Sequence, residues 1–181
     1  MKFLAFAASH RPESLNKKLV LLAAKQMRSL NMEVEHVEYS RFDMGIYNDT
    51  LTDNPPEEAL SFSKKIADVD GIIIAMPEYN WSFPGSLKNI IDWTSIINPN
   101  PMAGKTVLLM SATTSARGGI IGLQQLKLPL ESQNMFVFNK VFPLAHAQNS
   151  FTESGELIDK VQESLFSIII KGYISFTEKF S

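Results

Sequence analysis

One run constrains the fold of this chain more than any other. Gly71-Ile72-Ile73-Ile74-Ala75-Met76 carries no charged residue and is half isoleucine, whose branched side chain suits a pleated surface better than a helix. An apolar run without polar alternation reads as a strand buried on both faces, the condition of a central strand in a parallel sheet. Such a sheet needs helices above and below it, and so a chain that alternates strand with helix. The run is followed by Pro77-Glu78-Tyr79-Asn80-Trp81-Ser82-Phe83-Pro84-Gly85, which combines an acid, aromatics and an amide between two prolines. A loop of that composition at the carboxyl end of a parallel strand is where an open α/β sheet places its ligands.

The rest of the chain supplies the alternation. Phe3 to Ala8 reads as a first strand, and Ser14, or else Ser9, is placed to cap the helix after it. Leu15, Leu19, Leu22, Ala23, Gln26 and Met27 recur at helical spacing, with Lys17, Lys18, Lys25 and Arg28 largely on the other side. Met32 to Tyr39 alternates like a strand near a sheet edge, and Glu58 to Asp68 reads as a short helix. After Pro84, a residue suited to a first helical turn, Leu87, Ile90, Ile91, Trp93 and Thr94 continue a helix to Asn98-Pro99-Asn100-Pro101. Lys105 to Ser111 is the next buried strand, and Ile120 to about Glu131 a helix with Leu123, Leu126, Leu128 and Leu130. Met135 to Asn139 reads as a fifth strand and Lys140 to Ser150 as irregular. Leu157, Val161, Leu165, Phe166 and Ile169 mark a last helix. The expectation is a single domain over residues 1–181, a flavodoxin-like α/β three-layer sandwich with a five-stranded, mainly parallel sheet. Between Ser40 and Glu57, Phe42, Met44, Ile46 and Tyr47 stand among acids and prolines. Exposed apolar residues in a free loop are costly, so this segment is expected to pack on a partner subunit.

Composition removes several classes of function. The chain has no cysteine, which excludes disulfides, thiol nucleophiles and thiolate metal sites. His10, His36 and His146 lie too far apart in sequence to form a compact metal-binding pattern. A formal net charge of −2, with the two signs interspersed, gives no nucleic-acid footprint. The apolar opening ends at Ser9-His10-Arg11-Pro12-Glu13, too soon for export or for crossing a membrane, so a cytoplasmic protein without a membrane partner is expected.

In such a sheet the loops after strands one, three and four leave the same edge. Ser9 to Asn16 brings hydroxyls, Arg11 and a helix N-terminus, whose unpaired N–H groups favour a phosphate. Pro77 to Gly85 brings backbone polar groups and aromatic surface for a flat heterocycle, and Ala112 to Gly119 brings N–H groups on small residues. The first glycine is Gly45, so the first loop has no G-x-G-x-x-G, and there is no Walker A sequence. A phosphate held by hydroxyls rather than glycines points away from a dinucleotide fold and toward a mononucleotide site.

These residues also carry a resemblance. Pro77-Glu78-Tyr79-Asn80-Trp81-Ser82-Phe83-Pro84-Gly85, followed by Leu87-Lys88-Asn89-Ile90-Ile91-Asp92-Trp93, is similar to the central motif of the NAD(P)H-dependent FMN reductases, the flavodoxin-like quinone, azo and chromate reductases. The likeness extends to the opening loop, Gly104-Lys105, Arg117-Gly118-Gly119 and Phe151 to Leu157, with Ala8 standing where the family usually has glycine. It implies FMN as cofactor, with Ser9, Arg11, Ser14 and Asn16 at the phosphate. It places Pro77, Glu78, Tyr79 and Asn80 along the ribityl chain and ring, Trp81 next to them on the cofactor's substrate side, and Ser111, Ser115, Arg117 and Gly118 beside the ring's other side. It further implies NADH or NADPH as donor, a small-molecule electron acceptor, ping-pong kinetics and a homodimer or homotetramer. No side chain is assigned a catalytic role, because the chemistry belongs to the cofactor. A flavin-binding module without turnover is the other reading; a hydrolase is disfavoured by the absence of a G-x-S-x-G elbow.

Overall fold

Parallel pairing puts the uncharged run at the centre of the sheet. The computed structural model describes all of residues 1–181. Its elements are β1 (Lys2–Ala7), α1 (Leu15–Ser29), β2 (Glu33–His36), α2 (Glu57–Ala67), β3 (Gly71–Ala75), α3 (Gly85–Ser95), β4 (Thr106–Ala112), α4 (Ile120–Glu131), β5 (Phe136–Val137), β6 (Phe142–Leu144) and α5 (Lys160–Thr177). The spatial order is β2-β1-β3-β4-β5, and every pairing is parallel. β5 lies against Thr106–Val107 and β6 against Met110–Ala112, so the two are pieces of one fifth strand position. The five-stranded parallel sheet expected from the sequence is therefore present, with its last strand broken. β6 falls in the segment read as irregular: Phe142-Pro143-Leu144 is too short to show a period and contains a proline.

Successive side chains of a strand point to opposite faces, and this sets the layers. Phe3, Ala5, Ile73, Leu108 and Met110 pack with α1 and α5, while Leu4, Phe6, Ile72, Ile74 and Leu109 pack with α2, α3 and α4. β3 is thus covered on both sides, and each of its isoleucines contributes about 1.5–3 kcal/mol by burial. A charge anywhere in the run would be stranded without a partner.

Two sequence expectations change on contact with the fold. β2 ends at His36, and Tyr39 enters a short 3-10 turn, stacking on Phe6 with ring centroids 5.9 Å apart. The segment beyond it makes most of its apolar contacts within its own chain. Asn89 of α3 accepts from the Tyr47 amide at 2.7 Å and donates to the Gly45 carbonyl at 2.6 Å, which also accepts from Trp93 Nε1 at 3.1 Å. Phe42 meets Phe62 and Tyr47 meets Trp93, leaving Ile46, 89% exposed, as the outward residue. Trp93 itself is fully buried.

Further exposed apolar surface lies on two of the helices. Leu128 of α4 is 74% exposed, and Val161, Leu165 and Ile168 of α5 stand outward together. α5 begins behind Asp159, whose carboxylate accepts from the amides of Val161 and Gln162 at 2.7 and 3.1 Å. Phe166, Ile169, Ile170, Tyr173 and Ile174 form its sheet-facing side, so Val161 and Leu165 are not core positions. No helix is long and apolar enough to cross a membrane.

Candidate active site

The chain reverses its lateral direction between β1 and β3, and in a sheet of this order the carboxyl edge at that switch is the ligand crevice. Three loops leave the sheet at that edge.

The first follows β1. Ser14 caps α1 by accepting from the Lys17 amide at 3.3 Å, and Ser9 Oγ accepts from the Arg11 amide at 3.3 Å. The backbone N–H groups of His10, Glu13, Ser14, Leu15 and Asn16 have no acceptor within the protein. Arg11 is exposed and Ser9 half-buried beside them. The Asn16 side chain has another task. It lies 3% exposed, accepts from the Ala112 amide at 2.8 Å and donates to the Ala112 carbonyl at 3.1 Å. It ties the first loop to the end of β4, and both ends of its amide are used in doing so.

The loop after β3 is a tight hairpin. Tyr79 and Ser82 exchange two backbone hydrogen bonds of 2.9 Å, and Asn80 and Trp81 between them have φ of 49° and 66°. Positive φ at both central positions is the mark of a type I′ turn, a state asparagine tolerates and tryptophan adopts at a cost. The turn presents Tyr79 and Trp81 to solvent, each 55% exposed. Arg117, from the next loop, lies face-on over the Trp81 indole with its guanidinium carbon 4.1 Å from the ring centroid. Glu78 points the other way, and its carboxylate accepts from the Gly122 amide at 2.8 Å.

The third loop runs from β4 into α4. Thr113 N–H donates to Leu144 and receives the Ala147 amide on its carbonyl, and the Ser115 carbonyl accepts from His146 N–H. Thr114, Ser115, Ala116 and Arg117 keep backbone N–H groups without a protein acceptor. Gly119 has φ 79°, and an added Cβ there would collide with the Ser111 hydroxyl. Ser111 is fully buried beneath that glycine, its hydroxyl without a partner, and it contributes no surface to the edge.

The expected residues thus fall into two sets. Ser9, Arg11, Ser14, Pro77, Tyr79, Asn80, Trp81, Ser115, Arg117 and Gly118 belong to the three converging loops, and the half-buried Glu78 belongs with them by its backbone. Asn16 and Ser111 lie under the loops. Sequence reasoning missed Gly122, which lets α4 approach the hairpin: a Cβ there would lie 3.0 Å from the Ser82 carbonyl oxygen and 2.9 Å from Met76 Cε. The signal was a glycine inside an apolar helix, which signals close backbone approach. It also missed the brace from Leu144, His146 and Ala147. A concavity of about 770 Å³ opens beside the loop edge, between Phe83 and Lys88 on one side and Ile120, Ile121, Leu128 and Pro129 on the other.

The sheet order and the loop edge define a flavodoxin-like α/β protein with a mononucleotide-type crevice. Residues 1–149 match the model of the NADPH-dependent FMN reductase family, and the chain belongs to that family. It is 28% identical over 181 residues to a subunit of the NADH:(hydroxy)cinnamate reductase of Vibrio ruber, covering 98% of this chain and 88% of that protein. With the NAD(P)H-dependent FMN reductase of Pseudomonas aeruginosa it shares 30% over 161 residues, 88% of this chain and 85% of the other. Among solved structures, the flavoenzyme NAD(P)H:(acceptor) oxidoreductase FerB of Paracoccus denitrificans superposes with a TM-score of 0.87 at 24% identity, covering 99% and 98% of the two chains, which establishes likeness of fold.

Proposed function

We propose that residues 1–181 act as one FMN-binding domain in which the three loops hold the cofactor. The observation that carries this reading is the set of unpaired N–H groups at one sheet edge, from His10 and Glu13 to Asn16 and again from Thr114 to Arg117. The first set, with the hydroxyls of Ser9 and Ser14, the Arg11 guanidinium and the positive end of α1, suits a phosphate dianion. Asn16 positions that loop through Ala112. The segment Pro77 to Trp81 and the residues Ser115, Arg117 and Gly118 flank the ring, with Tyr79 and Trp81 supplying flat apolar surface.

When bound, FMN supplies the hydride chemistry: it accepts from NADH or NADPH and passes electrons to a small acceptor such as a quinone, a flavin, an azo dye or an oxidised metal anion. The protein's part is orientation and electrostatics. Backbone N–H groups of Thr114 to Arg117 are fixed dipoles suited to negative charge developing on the ring's polar edge. Glu78 has a structural contact, one oxygen of its carboxyl group accepting from the Gly122 amide. One open face serving donor and acceptor in turn gives ping-pong kinetics.

The reading includes a cytoplasmic homodimer or homotetramer. Two apolar surfaces support it, the groove between α3 and α4 and the outward side of α5 at Val161, Leu165 and Ile168. They lie on opposite layers, and one isologous contact closes a dimer while two close a tetramer.

The test is the absorbance spectrum of the purified protein after incubation with FMN and desalting, followed by anaerobic NADH and then NADPH. Retained flavin bands that bleach are the expected result, and the faster donor is the preferred one. Bands that persist unbleached would mean a flavin-binding module, and loss of all flavin would refute the site.

A further inference from the structure

The carboxylate of Glu78 spans two of the three loops, and its target is a helix end. The N-cap position of α4 is Gly119, which has no side chain to cap the helix; the Ile120 amide donates to the Arg117 carbonyl, while the amides of Ile121 and Gly122 lack a local acceptor. Glu78, forty-odd positions earlier on a different strand's loop, accepts from the amide of Gly122 at 2.8 Å. That is the bond an N-cap side chain makes to the third helical residue, here delivered from outside the helix. A carboxylate also complements the positive end of the α4 dipole.

Two further contacts share the same seam. Gly122 lies against the Ser82 backbone, where a Cβ would come within 3.0 Å of the carbonyl oxygen. Arg117, just before α4, covers the face of Trp81. The hairpin carrying Trp81 in a left-handed conformation is therefore held to α4 and the residues just before it at three points: by charge and hydrogen bond at Glu78, by close packing at Ser82, and by the guanidinium–indole stack. Of the three, Glu78 makes the only hydrogen bond between hairpin and α4.

We propose that Glu78 is a positioning residue: by capping α4 from the neighbouring loop it sets the spacing between the hairpin and the Ala112–Gly119 loop, and thereby the fit of the flavin ring between them. The cofactor half of this statement rests on the FMN reading above; the clamp half does not. Without the cap, the start of α4 loosens, Arg117 leaves the indole, and Trp81 loses the contact that holds its strained turn.

Two readouts on Glu78→Ala and Glu78→Gln separate the halves. The first is acrylamide quenching of tryptophan fluorescence in the cofactor-free protein. Trp93 is fully buried, so quenching reports Trp81. The second is the dissociation constant for FMN, measured on folded protein under conditions where the circular dichroism matches the wild type. Glu78→Ala is expected to raise quenching and weaken FMN about tenfold, the equivalent of one lost cap. Glu78→Gln keeps an oxygen that accepts the Gly122 amide, so it is expected to recover both values to within about threefold, losing the dipole contribution of the charge.

An alanine variant with wild-type quenching and wild-type FMN affinity would overturn the proposal. So would weakened FMN with unchanged quenching, which would mean a direct contact to the cofactor, or a glutamine variant no better than alanine. If the wild type fails to bind FMN while Glu78→Ala still raises quenching, the flavin reading falls and the clamp stands.

Discussion

Replacing Gly122 by alanine sets two known effects against each other at one atom. Alanine is favoured over glycine within a helix by up to about 1 kcal/mol, less near the first turn. The new methyl carbon would lie 2.9 Å from Met76 Cε, 3.0 Å from the Ser82 carbonyl oxygen and 3.1 Å from the Ser82 carbonyl carbon. Met76 Cε ends a flexible side chain and moves cheaply. Ser82 is backbone, held by its two bonds to Tyr79 and tied through Glu78 to the helix itself, so the contact is relieved only by shifting the hairpin. Overpacking of that kind costs about 1–3 kcal/mol. The clash outweighs the propensity, and Gly122→Ala is expected to destabilise by roughly 0.5–2 kcal/mol. At this chain length that lowers Tm by a few degrees, on the order of 2–4 °C per kcal/mol. Gly172→Ala provides the comparison within the same protein. It too is helical, but its nearest neighbour is Phe138 Cζ at 3.3 Å, the far edge of a ring that can give. It is expected to stabilise by about 0.5–1 kcal/mol. Urea unfolding of both cofactor-free variants beside the wild type decides the matter. If Gly122→Ala stabilises as much as Gly172→Ala, the hairpin is not pressed against α4 and the seam described above does not exist.

Other expected outcomes follow from single contacts. Asn16→Ala leaves the amide and carbonyl of Ala112 unpaired in a buried place, and a loss of about 2–4 kcal/mol of unfolding free energy is expected, read as a lower urea midpoint at unchanged m-value. His36 has its pKa lowered, first by burial and then by Lys17 and Arg28, against the opposing pull of Glu38. The unfolded chain therefore binds a proton that the folded chain resists, and stability falls as pH drops below the ordinary 6.5 through the lowered folded value. In denaturation at pH 7, 6 and 5, His36→Gln is expected to lose stability less steeply than the wild type; parallel curves would refute this. Tyr39, whose hydroxyl burial pushes its pKa up to about 12, is expected to stay protonated in a spectroscopic titration through pH 10. Leu128→Lys and Val161→Lys, at two outward apolar positions, are expected each to lower the mass measured by light scattering by one interface; an unchanged mass in both would remove these faces from the assembly.

The sequence is most readable where burial is most complete. The isoleucines of β3 admit no alternative because both faces of that strand are covered, and the heptad-like runs of α1 and α3 have a polar side to contrast with. Reading fails where a side chain's partner is distant. Phe42 and Tyr47 look unsatisfied along the chain, yet Phe62, Asn89 and Trp93 satisfy them from α2 and α3. Val161 and Leu165 have the right chemistry for a core and the wrong direction, which only the packing of Phe166 and Ile169 reveals. At the site, the residue types that the three loops bring to the sheet edge were legible, since strand ends and helix starts can be read locally. What Asn16, Ser111 and Glu78 touch was not, because Ala112, Gly119 and Gly122 come from other parts of the chain.

The broken fifth strand has a further consequence for how the protein behaves in a crowded solution. A sheet margin with a long row of free amides and carbonyls recruits strands from other molecules and seeds fibres. Here β5 and β6 form short pieces separated by Phe138 to Val141, with Lys140 exposed in the gap. The opposite margin is no better a template: β2 is a short strand, with exposed Glu33 and Glu35 along it. Neither border offers an incoming strand a continuous register, so the chain can keep a hydrophobic parallel sheet and still resist edge-to-edge polymerisation.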